Sequence, residues 1–307
     1  VVNPSVPMKV RIGIGSLPVA ERPGPAFAEL IDALEERDVD SIWLPDIVSS
    51  DNVDALVGLA FGAGRTRSLK LGTGVLVLPG RNPALVAAQL ASLAALAPRR
   101  ILPAFGVRPA TARERQLYPV PGGERGAVFD EALTVVRRLL TEPRLTHHGR
   151  FFHLDDASVG PLPARPLDLW LGGRAPVGMR RIGRLADGWL GSFVTPEEAA
   201  DCRAQIERAA ADAGREIEPD HYGTNVAVLP PEATDAQADA ALARARERRP
   251  DVEPEQLVLR GWAAVREQII RFVDVGLTKF VVRPAVPVTS WRGFLDEFCT
   301  ELKGLEN

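Results

Sequence analysis

Short apolar runs alternate with longer stretches of helical periodicity along the whole of this 307-residue chain, and few folds accommodate that pattern. Apolar runs flanked by glycine and proline read as strands. The segments between them carry apolar residues three and four apart, as a helix with one buried face requires. Strands are predicted at Val10–Ile14, Ser41–Leu44, Leu69–Leu78, Ile101–Gly106, Leu167–Leu171, Gly188–Leu190, Tyr222–Leu229 and Lys279–Val282. A turn rich in proline and glycine follows the first. Helices are predicted near Pro25–Arg37, from about Asp51, from Asn82-Pro83 to Ala97, and over Phe129–Leu140, Arg174–Ala186, Pro196–Ala213, Val265–Val275 and Trp291–Leu302. This order builds βαβ crossovers, and eight of them close into a (β/α)8 barrel of the TIM type, an α/β fold. Such barrels take about 250 residues. The surplus is assigned to insertions at about 108–126 and 144–166 within a single domain spanning 1–307. The first, Arg108–Gly126, is long enough to be a lid. The second contains a hairpin over Leu145–Leu154 turning at His148-Gly149. Thr234–Arg249, rich in alanine and charge, reads as a solvated helix of little functional weight.

With 25% charged residues and a net charge of −3, the chain lacks the basic excess that nucleic acid or an anionic membrane would select, so neither is an expected partner. Val1–Lys9 has no signal-peptide pattern and no apolar run approaches the ~18 residues of a membrane span, so a cytoplasmic protein is expected. No metal site is expected either. Cys202 and Cys299 have no ligand-like spacing, and His147, His148 and His153 read as exposed turn residues. His221 begins a strand, at the wrong end of a barrel for catalysis. No Gly-x-Ser-x-Gly elbow, Walker loop or zinc motif occurs.

A barrel of this kind works at the C-terminal ends of its strands. Leu44-Pro45-Asp46 places a carboxylate there, either as a functional group or as a cap of the next turn. Glycine interrupts the third strand at Gly72-Thr73-Gly74, which suggests a bulge or the close approach of a ligand. Leu171-Gly172-Gly173-Arg174 ends a strand and opens a helix. Free backbone N–H groups, the helix dipole and Arg174 would suit a phosphate there, although a tight turn needs glycine too. Ser192 and Thr195 stand nearby as hydroxyl donors. Arg81, Asn82 and Arg108 lie at strand ends, positioned for a polar substrate or cofactor tail, or for solvent.

The order of Ser41-Ile42-Trp43-Leu44-Pro45-Asp46, Leu71-Gly72-Thr73-Gly74-Val75, Arg81-Asn82-Pro83, Leu169-Trp170-Leu171-Gly172-Gly173, Gly183-Arg184-Leu185-Ala186-Asp187-Gly188-Trp189 and Lys279-Phe280-Val281-Val282-Arg283-Pro284 resembles the bacterial-luciferase-like superfamily, in particular its deazaflavin (coenzyme F420)-dependent oxidoreductases. The hairpin residues Gly149-Arg150-Phe151-Phe152 add to the match, which covers nearly the whole chain. The resemblance implies a barrel holding a deazaflavin or flavin across its strand ends. It implies a ring support at Gly74-Val75, often a non-proline cis peptide, and a phosphate turn at Gly172-Gly173-Arg174 with Ser192. It places Asp46, Thr73 and Gly106 among the cofactor-binding residues. Homodimers are common in the family, and a separate flavin or F420 reductase would supply reduced cofactor.

The family's deazaflavin-dependent sugar-phosphate dehydrogenases carry a histidine where this chain has Ile47, and a glutamate where it reads Gly106-Val107-Arg108-Pro109. A tryptophan is replaced near Asp51 and a phosphate-binding lysine by Thr195. The leading expectation is hydride transfer between deazaflavin C5 and a small organic substrate, with Asp46 the one rim carboxylate named as a catalytic candidate. The alternatives are a two-component monooxygenase using reduced FMN and a barrel that binds cofactor without turnover. Arg174 and Arg283 hint at the longer acidic tail of the deazaflavin.

Overall fold

A computed structural model describes residues 9–15 and 23–307; the predicted turn after the first strand and the residues before Lys9 fall wholly or mostly outside them. The strands are β1 (Arg11–Gly15), β2 (Ser41–Leu44), β3 (Lys70–Thr73), β4 (Leu76–Val77), β5 (Ile101–Leu102), β6 (Ala104–Gly106), β7 (Leu145–His148), β8 (His153–Ala157), β9 (Trp170–Gly172), β10 (Gly188–Gly191), β11 (Tyr222–Leu229), β12 (Val258–Arg260) and β13 (Lys279–Pro284). All pairs are parallel except the β7–β8 hairpin. β1 pairs with β2 and β13, β2 with β3, β3 with β5, β4 with β6, β6 with β9, and β9, β10, β11 and β13 follow in order. The predicted third and fourth strands are each broken in two, and both halves keep the same neighbour. The ring therefore closes as a (β/α)8 barrel.

The breaks have local causes. The Gly74–Val75 peptide is cis, between β3 and β4. Pro103 has no N–H to give the ladder between β5 and β6, and the Thr73 hydroxyl patches that gap, donating to the Ala104 carbonyl (2.7 Å) and accepting from the Ala104 N–H (2.8 Å).

Side chains alternate across each strand. Phe280 and Val282 face the helices, with the Phe280 ring 6.2 Å from that of Phe272, whereas Val281 joins Trp43, Ala104, Trp170 and Leu190 inside the barrel. The two indoles fill the lumen because glycine stands opposite each. A Cβ on Gly72 would lie 2.6 Å from Trp43, and one on Gly188 2.4 Å from Trp170.

Outside run α1 (Pro23–Glu36), α2 (Ala55–Arg65), α3 (Pro83–Leu96), α4 (Arg125–Leu139), α5 (Pro176–Leu185), α6 (Pro196–Asp212), α7 (Asp235–Arg248), α8 (Gly261–Asp274) and α9 (Trp291–Leu302). Their starts follow capping chemistry: Asp54 accepts from the Val57 N–H, Asn82 from those of Ala84 and Leu85, and Thr195 and Thr234 form capping boxes. None of the described helices is long and apolar enough to cross a membrane.

Several boundaries differ from the sequence reading. α4 begins at Arg125 and not Phe129, and α8 at Gly261 and not Val265. The hairpin turns over residues 149–152, because the Glu131 carboxylate collects the N–H groups of Arg150, Phe151 and Phe152 and stations the turn there. Its other partner is His147, whose side chain is mostly buried and not an exposed turn residue. β12 had no counterpart in the expectation. It pairs with the outer half of β11, and with α7 it builds a small apolar cluster of its own, Ala238, Ala241 and Ala245 packing on Ala227, Leu229 and Val286. α7 thus packs through one row of alanines and leaves the rest of its surface to solvent, as expected of a solvated helix.

Candidate functional site

The C-terminal strand ends form a mouth with Val75 in its floor. A Cβ on Gly106 would lie 2.6 Å from one Val75 methyl and a Cβ on Gly172 2.8 Å from the other, so these two glycines let the ends of β6 and β9 close on the valine. Val75 rests on the luminal cluster that contains both indoles and is itself partly exposed, as are Gly74 and Gly172. The result is a small, rigid apolar platform.

Asp46 sits beside it with a different task from an open rim acid. Its carboxylate is buried, with Oδ2 accepting from the Val77 N–H (3.0 Å) and from Arg81 Nη2 (2.9 Å), and Oδ1 from the same nitrogen (3.1 Å). Its own N–H donates to the Val75 carbonyl (3.4 Å). Asp46 therefore continues β2 beyond its end and holds β4 in place. The guanidinium of Arg81 lies over the ring of Tyr118, 5.5 Å from its centroid. Burial, reinforced by the Asp46 carboxylate, pushes the Tyr118 hydroxyl's pKa up, so the phenol stays protonated. Tyr118 and Glu114 anchor the 108–126 insertion: Glu114 accepts from the N–H and the hydroxyl of Ser49, both at 2.9 Å.

At the β9 turn, Gly173 has φ +134, a conformation that suits glycine, and open space on its Cβ side. Its carbonyl accepts from Trp189 Nε1 (2.8 Å). α5 follows with Pro176 in its first turn and no side-chain cap at Ala175, and Arg174 is exposed beside it. Free N–H groups, a dipole and a cation thus share one open corner. Ser192, partly buried, ends the neighbouring strand. Thr195, expected as a free donor, is the α6 cap: its hydroxyl accepts from the Glu198 N–H while Glu198 accepts from the Thr195 N–H.

The structure thus brings together Gly74, Val75, Gly106 and Gly172, with Gly173, Arg174 and Ser192 on the adjoining edge. It turns Thr73 into the strand break and Asn82 into a helix cap. Phe193, next to Ser192, has φ +56, and its carbonyl accepts from Arg249. Arg249 is itself buried and pairs with Glu198 (2.5 Å) and Asp251 (2.9 Å). His221 lies at the opposite end of the barrel, bonded to the Asp187 carbonyl (2.8 Å). No group of His, Cys, Asp and Glu among the described residues is arranged to hold a metal ion.

Comparison with known proteins places this architecture. The chain is 31% identical over 172 residues to an F420-dependent glucose-6-phosphate dehydrogenase of Kineococcus radiotolerans, a match covering 53% of this chain and 51% of that one. It is 37% identical over 156 residues to an uncharacterized protein of Mycobacterium tuberculosis, covering 51% and 53% respectively. The chain thus spans about half the length of these curated relatives. In three dimensions it matches an F420-dependent secondary alcohol dehydrogenase solved with an F420-acetone adduct, at TM-score 0.82 and 20% identity over 98% of this chain and 100% of the other. The profile of the luciferase-like monooxygenase family matches residues 8–277, and the chain belongs to that family.

Proposed function

We propose that this protein is an F420-dependent oxidoreductase that moves a hydride between the deazaflavin and a small organic substrate. The observation that carries this reading is the pairing of the Val75 platform with the open corner at Gly173 and Arg174. A flat ring fits on the first and a phosphate on the second, which begins one residue beyond the Gly172 that borders Val75. When bound, the cofactor supplies the hydride-carrying carbon. The chain's residues do the rest: Val75 supports one ring face, Gly106 and Gly172 keep the floor low, and the α5 N-terminus and Arg174 hold the phosphate with Ser192. Asp46 fixes β4 and with it the platform. The relatives named for F420 support the choice of cofactor. Titration of the purified protein with F420 and with FMN, followed by tryptophan fluorescence, tests it. Saturable quenching by F420 is expected; FMN binding without F420 binding would replace this reading with that of a flavin monooxygenase.

The protein acts as a homodimer joined through α2 and α3, with reduced cofactor coming from a separate reductase. Val86, Leu90 and Leu93 of α3 face the core, while on its outer stripe, which also carries Gln89 and Ser92, Leu85 and Leu96 are 65% and 69% exposed. Val57 and Phe61 of α2 are further exposed apolar residues. Large exposed leucines suit a contact surface, and a self-complementary patch is the requirement of a twofold dimer. Leu85→Glu combined with Leu96→Lys is expected to turn a dimer into a folded monomer, read by light scattering after gel filtration. A dimer that survives both changes places the interface elsewhere.

A further inference from the structure

The inward-facing row of β13 runs from Lys279 at the bottom of the barrel through Val281 in the lumen to Arg283 in the mouth. Register sets Arg283 opposite Ala227 of β11. Its stem passes over Gly15, where a Cβ would meet the Arg283 Cβ at 3.3 Å, and its guanidinium reaches across to the Phe193 ring, 5.2 Å from the centroid. Arg248, at the end of α7, stands over the same ring at 6.0 Å and donates to the Ala110 carbonyl (3.0 Å) in the 108–126 insertion. Arg244, one helical turn earlier, donates to the Ala285 carbonyl (3.1 Å) just beyond β13. Three guanidinium groups thus gather on one side of the mouth. Glu198 and Asp251, the nearby carboxylates, are taken by Arg249. No carboxylate among the described residues pairs with Arg283, Arg248 or Arg244. Burial and the repulsion of Arg248 and Arg244 push the Arg283 pKa down.

The floor of the mouth has the opposite character. Val75 is partly exposed there over the buried Val281 and Leu190 of the same apolar cluster, and the amide nitrogen of Asn225 is already committed to the Gly191 carbonyl (3.0 Å). A body carrying many hydroxyls would bury them there without partners, at a cost of about 1–3 kcal/mol each. An apolar or conjugated body would not. Guanidinium groups bind carboxylates through paired, charge-assisted hydrogen bonds, which strengthen as water is excluded.

We infer that the corner formed by Arg283, Arg248 and Arg244 binds the carboxylate of an organic acid with an apolar or conjugated body. That this acid is the substrate rests on the proposed function; that the corner binds an organic carboxylate does not. Trans-cinnamate and uncharged cinnamyl alcohol serve as probes, measured by calorimetry on the cofactor-free protein and again with F420. Wild type is expected to bind cinnamate about tenfold or more tightly than the alcohol. Arg283→Gln removes that preference, and Arg248→Gln, on an exposed helix end where unfolding is no concern, weakens cinnamate alone by several-fold. Equal binding of the two probes by wild type overturns the inference. So does loss of F420 affinity in Arg283→Gln with cinnamate unaffected, which would assign the corner to the acidic tail of the cofactor. Cinnamate selectivity without any F420 binding would remove the proposed function and leave the carboxylate corner standing.

Discussion

Replacing Asp40 with alanine is expected to lower the unfolding free energy by about 3–5 kcal/mol, the cost of leaving a buried cation without its partner. Asp40 precedes β2 at the bottom of the barrel, and its side chain is 6% exposed. The first residues of three neighbouring strands converge on it: Lys279 of β13 in direct contact, Lys70 of β3 at 2.5 Å and Arg11 of β1 at 3.7 Å. One carboxylate thus fastens four adjacent strands at the end of the barrel away from the mouth. Lys279, at 10% exposure, suffers most when it goes, because water cannot replace the lost charge. Asp40→Asn should cost nearly as much as Asp40→Ala, since the shape survives and the charge does not. Urea unfolding with an unchanged slope checks both.

The same carboxylate sets a pH dependence. Burial alone would raise its pKa, yet Lys279 and Lys70 outweigh burial and draw it down to about 2. An unfolded aspartate titrates near 3.9. The unfolded chain therefore holds more protons in this interval, so stability rises with pH through it. The contribution is fully present above about pH 4 and is lost as the pH falls through 2, and it amounts to about 2–3 kcal/mol. The stability difference between wild type and Asp40→Asn should shrink over that window. A constant difference from pH 5 to pH 2 would show that Asp40 contributes no charge.

Much of this was legible from residue order, and the exceptions have physical causes. The period-two and period-3.6 patterns located the eight strand positions because each strand is short, apolar and bounded by turn residues. The platform at Val75 and the corner at Gly173 followed from glycine placement and from family resemblance. β12 escaped notice because Val258, Leu259 and Arg260 are too few to show a period, and they form a strand only because β11 outruns β10 and leaves an edge to pair. Thr195 is a different case. Thr195-Pro196-Glu197-Glu198 is a readable capping box, and that reading would have given its hydroxyl a structural task at the start of α6. The alternation of Lys279, Val281 and Arg283 was also available, and it would have aimed Arg283 inward. The footing of the 108–126 insertion was beyond reach, because Glu114 meets Ser49 across 65 residues with no local signature.

The contacts of Asp46 lead to the second large effect, one that separates positioning from proton transfer. Both oxygens of the carboxylate are already engaged, with the Val77 N–H and Arg81, and the side chain is 2% exposed, so it has no open path to a substrate. Asp46→Asn keeps an acceptor for Val77 but leaves the Arg81 guanidinium without a counter-charge. Arg81 is 24% exposed and partly solvated, which holds the stability loss to about 1–3 kcal/mol, below that of a fully buried pair. The functional loss should fall on cofactor affinity. With β4 less firmly tied to β2, the Val75 platform loosens, and F420 binding is expected to weaken about tenfold, since small displacements of a positioned group are costly. Turnover at saturating cofactor should change by only a few-fold, with the pH profile retaining its shape. A general acid or base predicts the reverse: unchanged cofactor affinity, a fall in kcat of about 10²–10⁴-fold, and the disappearance of one limb of the pH profile. Measuring Kd for F420 and kcat against pH on the same Asp46→Asn preparation decides between them. The commitment of both oxygens favours the loss in Kd.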